Sequence, residues 1–343
     1  MTRQVAVVGG SGYVGGELLR LLLRHPAVEV VQVTSDSMAG QPIARAHPNL
    51  RKVSSLSFVR HQEITSADAV FVATPHGESM ERMPELLKGS GVVVDLSADF
   101  RLHDAALYPL YYHRTHPHPE LLERAVLGLP ELYRDRIRSA SLIAVPGCIA
   151  TASILALRPL ARAGRVRAMP VVVDAKSGSS ASGRDAGPAG LHPERSGVMR
   201  AYAPAGHRHT AEIEQETGLS VALSCHAVEA VRGVLATVHA FVDPPVDEKE
   251  LWRIYRAAYG GEPFVRLVHE TTGIYREPEP KILAGTNYCD VGFASDPRTN
   301  RVVALAALDN LMKGAAGNAV QCFNLRIGEA ETTGLDYLGL HPV

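Results

Sequence analysis

The segment Gln4–Arg24, QVAVVGGSGYVGGELLRLLLR, decides the fold of the first half of the chain. It opens on a short β-branched run, Gln4–Val8, and turns through Gly9-Gly10-Ser11-Gly12-Tyr13-Val14-Gly15. It continues as an amphipathic helical pattern over Tyr13–Arg24, which His25-Pro26 stops. The spacing Gly9-x-x-Gly12-x-x-Gly15 is a close relative of the dinucleotide fingerprint. Glycines there let the backbone approach a pyrophosphate, whose charge rests on the N-terminus of the following helix. All seven residues from Gly9 to Gly15 are therefore predicted to line a nucleotide site. The second strand ends in Thr34-Ser35-Asp36. An acidic residue at that tip suits the ribose hydroxyls of NAD, and small hydroxyl residues suit the extra phosphate of NADP, so these residues alone leave the choice open.

Outward from this unit, Val28–Val33, Ala69–Ala73, Val92–Leu96 and Leu142–Val145 read as further strands separated by crossover segments. Near-continuous apolar strands of this kind imply an α/β domain with a parallel sheet buried on both faces. After about residue 150 the texture changes. Val171–Asp174, Leu219–Ser224, Val234–Val242 and Val302–Leu308 alternate more, with long Gly-, Ser- and Pro-rich connections, as in an α+β domain. Asn310–Ile327 has helical spacing despite Gly314 and Gly317.

A length of 343 residues agrees with about two domains. With 35 Lys+Arg against 36 Asp+Glu, no global field points to nucleic acid or an anionic membrane. Four scattered cysteines without a CxxC pair argue for a reducing compartment and against a thiolate zinc site. Met1–Val8 lacks the features of a signal peptide. The uncharged stretch Ser139–Leu157 is broken by Pro146-Gly147, so it reads as strand, turn and helix rather than a membrane span. The expected setting is the cytoplasm.

Cys148 follows Pro146-Gly147 at the end of a buried strand and opens a helix. Thiols at helix N-termini lose their proton more easily, and the same N–H groups can cradle an oxyanion. Cys225, Cys289 and Cys322 have no such setting and read as inert core residues. Gly206-His207-Arg208-His209-Thr210-Ala211-Glu212 supplies an acid/base candidate, His209, with Glu212 three residues on and on the same helix face. A metal reading of His207 and His209 lacks a third ligand.

These motifs, with Asp95-Leu-Ser-Ala-Asp-Phe-Arg101, Lys176-Ser-Gly and Asp309-Asn-Leu-x-Lys-Gly, make the chain resemble the N-acetyl-γ-glutamyl-phosphate reductases, relatives of the aspartate-semialdehyde dehydrogenases. The resemblance implies a semialdehyde-dehydrogenase-like fold. Residues 1–147 would form an NADP-binding Rossmann domain, joined by the C-terminal helix 310–343, and 148–309 an α+β catalytic and oligomerisation domain of a homodimer or homotetramer. It implies NADPH-dependent reduction of an acyl phosphate through a thioester on Cys148, with His209 as acid/base and His207 as the weaker choice. It also places Ser177, Gly178 and Asn310 near the cofactor. Family members often carry Arg where Asp36 stands.

The family has an arginine-biosynthesis branch and a lysine-biosynthesis branch. Pro146-Gly-Cys-Ile-Ala-Thr151 and His192-Pro-Glu-Arg-Ser-Gly-Val-Met-Arg-Ala-Tyr-Ala-Pro204 look more like the lysine branch, whose substrate is an aminoadipyl phosphate on a small acidic amino-group carrier protein. Between Arg158 and Arg208 stand nine basic and three acidic residues, an excess that would steer an acidic partner if it forms one face. Two further classes compete with a reductase. A Cys-His hydrolase or acyltransferase has no use for the glycine fingerprint, and a dinucleotide-sensing regulator has no need of a cysteine at a helix start.

Overall fold

The computed structural model describes residues 2–184 and 187–342. Asp185, one of the acidic residues counted above, lies outside the described residues. The chain divides after Pro146 into two compact units, each described by itself.

The first unit holds the chain through Pro146 and Ala315–Tyr337. Its strands are β1 (Arg3–Val8), β2 (Val28–Thr34), β3 (Phe58–Val59), β4 (Ala67–Val72), β5 (Ser90–Asp95), β6 (Val126–Leu127) and β7 (Leu142–Ala144). All pair in parallel, in the order β3-β2-β1-β4-β5-β7-β6. The crossovers carry α1 (Tyr13–Leu22), α2 (Ser79–Lys88) and α3 (Pro130–Ser139). Val5–Val8, Ala69–Val72 and Val92–Val94 are buried without alternation, as a sheet covered on both faces requires. The two-residue strands β3 and β6 are too short to show a period, and the sequence reading missed them. The strand order reverses between β1 and β4, the switch point beyond whose carboxyl ends open α/β sheets bind ligands.

The second unit opens with α4 (Cys148–Arg162). It continues through β8 (Val171–Ser177), β9 (Met199–Ala203), α5 (His209–Thr217), β10 (Val221–Val228), β11 (Val234–Phe241), α6 (Glu248–Tyr259), β12 (Val265–Leu267), β13 (Cys289–Asp296) and β14 (Arg301–Leu308). The sheet order is β12-β13-β14-β11-β8-β10-β9; β8/β10 and β12/β13 are parallel and the rest antiparallel. Alternation in β8 and β11 buries Val171, Val173, Ala175, Val234, Ala236 and Val238 and leaves the other face half open. The helices cover the buried face. Tyr255 and Tyr259 hold α6 to α4 by donating to Ala156 O (2.7 Å) and Leu155 O (2.6 Å).

The C-terminal reading is corrected. Residues 310–327 are not one helix: Met312–Ala316 is a π turn, and α7 (Gly317–Ile327) follows it in the first unit, packed on α1 and α3. Gly328, with φ of 79°, ends α7, and no helix follows among the described residues. Residues up to Gly314 and from Leu338 onward lie in the second unit, so 310–343 does not rejoin the first as a block. The reason is local bonding. Asp309 binds Arg232 (3.0 Å) and the Gly285 N–H (2.7 Å), and Asn310 accepts the Gly233 N–H (2.8 Å).

Candidate active site

In the first unit the glycines sit where the backbone needs them. Gly9 has φ of 80°, and a Cβ there would stand 2.6 Å from Ala73 O at the end of β4. A Cβ on Gly10 would meet the Val33 side chain, and one on Gly15 would strike Gly9 O at 2.5 Å, so strand and helix close tightly. At Gly12, the N-cap of α1, a Cβ would meet nothing nearer than 4.0 Å, and no side chain caps the first turn begun by Tyr13 and Val14. Beside Gly9, Thr74 Oγ1 is buried with no hydrogen-bond partner. An open helix N-terminus and an orphaned hydroxyl at the switch point fit a dinucleotide pyrophosphate. Asp95 and Asp99, both buried, brace the neighbouring loop. Asp99 accepts the N–H groups of Gly77 (2.8 Å) and Met80 (3.0 Å).

The tip of β2 carries a hydroxyl chain: Ser11 Oγ lies 2.8 Å from Ser35 Oγ, and Ser35 Oγ lies 3.3 Å from Ser37 Oγ. Thr34 faces inward and pairs with His61 Nδ1. Asp36 accepts the His61 N–H at 2.8 Å.

In the second unit Cys148 is the first residue of α4 and stands half-buried, while the other three cysteines are buried. Gly147, the N-cap, brings no side chain, and its own N–H donates to Glu212 Oε2 at 2.8 Å. His209 opens α5 with its ring against Gly147, where a Cβ would fall 2.1 Å from Nε2. The same Nε2 lies 3.8 Å from Glu212 Oε1, and both side chains are buried. The spacing of three residues thus places carboxylate, imidazole and the cysteine's turn together. His207 stacks edge-on at 4.6 Å, and its Nδ1 accepts the His209 N–H at 3.2 Å. Burial and the adjacent Arg208 push His207 down to about 4, so it is an uncharged acceptor at neutral pH. Among the described residues no cluster of three His, Cys, Asp or Glu is placed to hold a metal.

Gly314 of the π turn approaches the nucleophile from another side; a Cβ there would lie 2.6 Å from Cys148 Cβ. Gly178 is equally constrained, its absent Cβ 2.7 Å from Val231 O. Ser177 ends β8, with its carbonyl accepting from Arg195. Asn310 is buried and spends its amide on Ser180 Oγ (2.9 Å) and the Gly233 N–H (2.8 Å), so it fixes the loop after Ser177-Gly178 from behind. The sequence reading did not pick out Tyr202. Its ring is half open to solvent on β9, but its hydroxyl is desolvated against the Ser177 and Cys225 side chains, which raises the phenol above the ordinary range. Burial pushes the Cys225 thiol up to about 11, the state of an inert cysteine.

Two family models cover most of the chain: semialdehyde dehydrogenase, NAD binding domain, over residues 4–140, and semialdehyde dehydrogenase, dimerisation domain, over 148–310. The chain belongs to the semialdehyde dehydrogenase family. The aspartate semialdehyde dehydrogenase II of Vibrio cholerae shares the fold with a TM-score of 0.72 over 96% of this chain and 99% of that one, at 18% identity. The Candida albicans aspartate semialdehyde dehydrogenase, solved with NADP, gives 0.70 over 97% and 100% at 14% identity. Nearer in sequence, the LysW-L-2-aminoadipate 6-phosphate reductase of Deinococcus radiodurans is 47% identical over 99% of this chain and 98% of its own. A Thermomicrobium roseum relative bearing the same activity in its name is 55% identical over both whole chains. A Haloquadratum walsbyi relative, 52% identical over 98% of this chain and 97% of its own, is named for LysW-bound aminoadipate and LysW-bound glutamate alike. The chain belongs to the family of these phosphate reductases.

Proposed function

We propose that the protein reduces a carrier-bound aminoadipyl phosphate to its semialdehyde with NADPH, as a lysine-biosynthesis step in the cytoplasm. The observation that carries the reading is Cys148 at the first position of α4, with the His209 ring against Gly147 and Glu212 beneath both.

In this reading the Cys148 thiolate attacks the acyl carbon, and the C–O bond to phosphate breaks. Inorganic phosphate leaves, and a thioester remains on Sγ. The α4 N-terminus stabilises both the thiolate and the oxyanion of the tetrahedral species. When bound, the reduced nicotinamide supplies the hydride that converts the thioester to the aldehyde and returns the thiolate. His209 moves protons at the reacting oxygen, and Glu212 holds the Gly147 turn beside its ring. Covalent catalysis divides one difficult displacement into two easier ones. Gly9–Gly15 and Ser35 contact the nucleotide, Thr34 and Asp36 fix the β2 tip through His61, and Ser177, Gly178 and Asn310 shape a cofactor loop of the second unit. The half-open sheet face with Val172, Asp174 and Lys176 suits a second copy of the chain, in keeping with the dimerisation domain of its family model.

The relatives named for carrier-bound glutamate support a second substrate of the same kind. The test compares NADPH oxidation and phosphate release on carrier-bound aminoadipyl phosphate, carrier-bound glutamyl phosphate and free N-acetylglutamyl phosphate. Turnover of a carrier-bound substrate is expected to dominate. Preference for the free acetylated substrate would overturn the carrier reading and leave the arginine-branch reductase.

A further inference from the structure

β2 and β3 run side by side, with Thr34 paired to Val59, so Ser35-Asp36 and Arg60-His61 emerge together at the carboxyl end of the first sheet. Between these tips and α2 lies a cavity of about 350 Å³, lined by Asp36, Arg60, His61, Gln62, Arg82 and Glu85. Asp36 is the residue whose type favours an unphosphorylated ribose. Its Oδ1, however, is engaged by the His61 N–H at 2.8 Å, which draws the carboxylate toward β3. Arg82 donates to His61 O at 2.8 Å, an anchor that fixes its guanidinium at the cavity wall. The exposed Arg60 lines the same cavity. The hydroxyl chain from Ser11 through Ser35 to Ser37 leads from the glycine loop to the β2 tip beside this cavity.

The charges facing the cavity are two cationic, Arg60 and Arg82, and two anionic, Asp36 and Glu85. Burial lowers His61 below its ordinary range, so it adds no charge near neutral pH. A phosphate monoester carries close to two negative charges and accepts several charge-assisted bonds, which guanidinium groups supply bidentately.

We propose that Arg60 and Arg82 receive the 2′-phosphate of NADP(H), with the Ser35 and Ser37 hydroxyls beneath it and Asp36 held aside by the His61 N–H. The proposal rests on the dinucleotide reading of the glycine loop. It assigns cofactor choice to the segment after β3 and to α2, in a chain whose β2 tip carries an acid.

The test is calorimetric titration with 2′,5′-ADP and with 5′-ADP, which separates the phosphate subsite from the rest of the nucleotide site. The wild-type chain should bind 2′,5′-ADP about tenfold or more tightly than 5′-ADP, and the preference should shrink as salt rises. Arg60→Gln should lose about tenfold on 2′,5′-ADP and less than about twofold on 5′-ADP. Arg82→Lys keeps a charge but loses the fork, and should fall between. An unchanged melting temperature for Arg60→Gln excludes a folding defect, and should the variant melt early, Arg82→Lys decides alone. If both nucleotides bind equally well, or Arg60→Gln weakens both alike, the phosphate subsite is overturned while the dinucleotide reading stands. If neither binds, both fall.

Discussion

Replacing Glu212 by Gln tests the coupling of acid/base group to nucleophile. The Glu212 carboxylate lies 3.8 Å from His209 Nε2 and accepts the Gly147 N–H at 2.8 Å, with no exposed surface of its own. Unit charges near 4 Å attract by about 4 kcal/mol at an effective dielectric near 20. Glutamine keeps an acceptor for the Gly147 N–H and removes the charge, so the turn before Cys148 survives and the imidazolium loses its partner. Turnover near neutral pH should fall by about ten- to a hundredfold. The arm of the pH–kcat profile that reports His209 should move, because the charge 3.8 Å from its Nε2 is gone. His207→Asn, in contrast, should leave that arm in place, because His207 already stands uncharged at neutral pH. An arm unmoved in Glu212→Gln would refute the coupling and leave Glu212 as a brace for Gly147 alone.

Cys148→Ser should abolish turnover while nucleotide binding in a titration persists, since a hydroxyl lacks the acidity of this thiol; near-normal turnover would remove the thioester route. Burial first and Asp99 second raise Asp95 to about 7 from 3.8, so the fold favours its protonated form. That contribution is full below about pH 4 and is lost as pH rises through 7, a cost of about 4 kcal/mol at the top of the window. Thermal melts should therefore show Asp95→Asn gaining on the wild type between about pH 4 and 7, and a constant gap would refute the assignment. Arg200→Glu, an exposed change, should slow use of a carrier-bound substrate at low salt and spare a small acyl phosphate; a salt-independent loss would mean that Arg200 acts elsewhere. The neighbouring Arg195 is no such probe, because its guanidinium is spent on the carbonyls of Ser177 and Val228.

Much of this was legible because it lies in continuous sequence. The fingerprint, the turn before Cys148 and the spacing of His209 from Glu212 each need only a few adjacent residues. What escaped depends on partners remote in sequence. β13 (CDVGFASD) does not read as a strand, since Asp290 and Gly292 interrupt the apolar run. Arg266 on β12 neutralises Asp290 at 2.6 Å, and Gly292 leaves room for Pro278 and Val268 O. β9 is an exposed edge strand, and its residues have no buried face from which to take a period. The bond from Glu212 to Gly147 joins positions 65 apart, and nothing in either segment announces it.

The glycines around Cys148 explain why one stretch read as a plain helix is not one. Gly147 and Gly314 both stand where a Cβ would intrude, the first on the His209 ring and the second on Cys148 itself. Glycine in a helix interior costs about 1 kcal/mol relative to alanine, so a sequence tuned for helix stability alone would not place one at 314. Here the cost accompanies a π turn over Met312–Ala316, a departure from regular helix that recurs at functional sites. The nucleophile is thus bounded by backbone on two sides. The His209 ring packs against its turn, and the Glu212 carboxylate accepts the Gly147 N–H there. A local violation of helix propensity is the form that a tightly approached cysteine takes in the sequence. It is readable only once the residue it approaches is known.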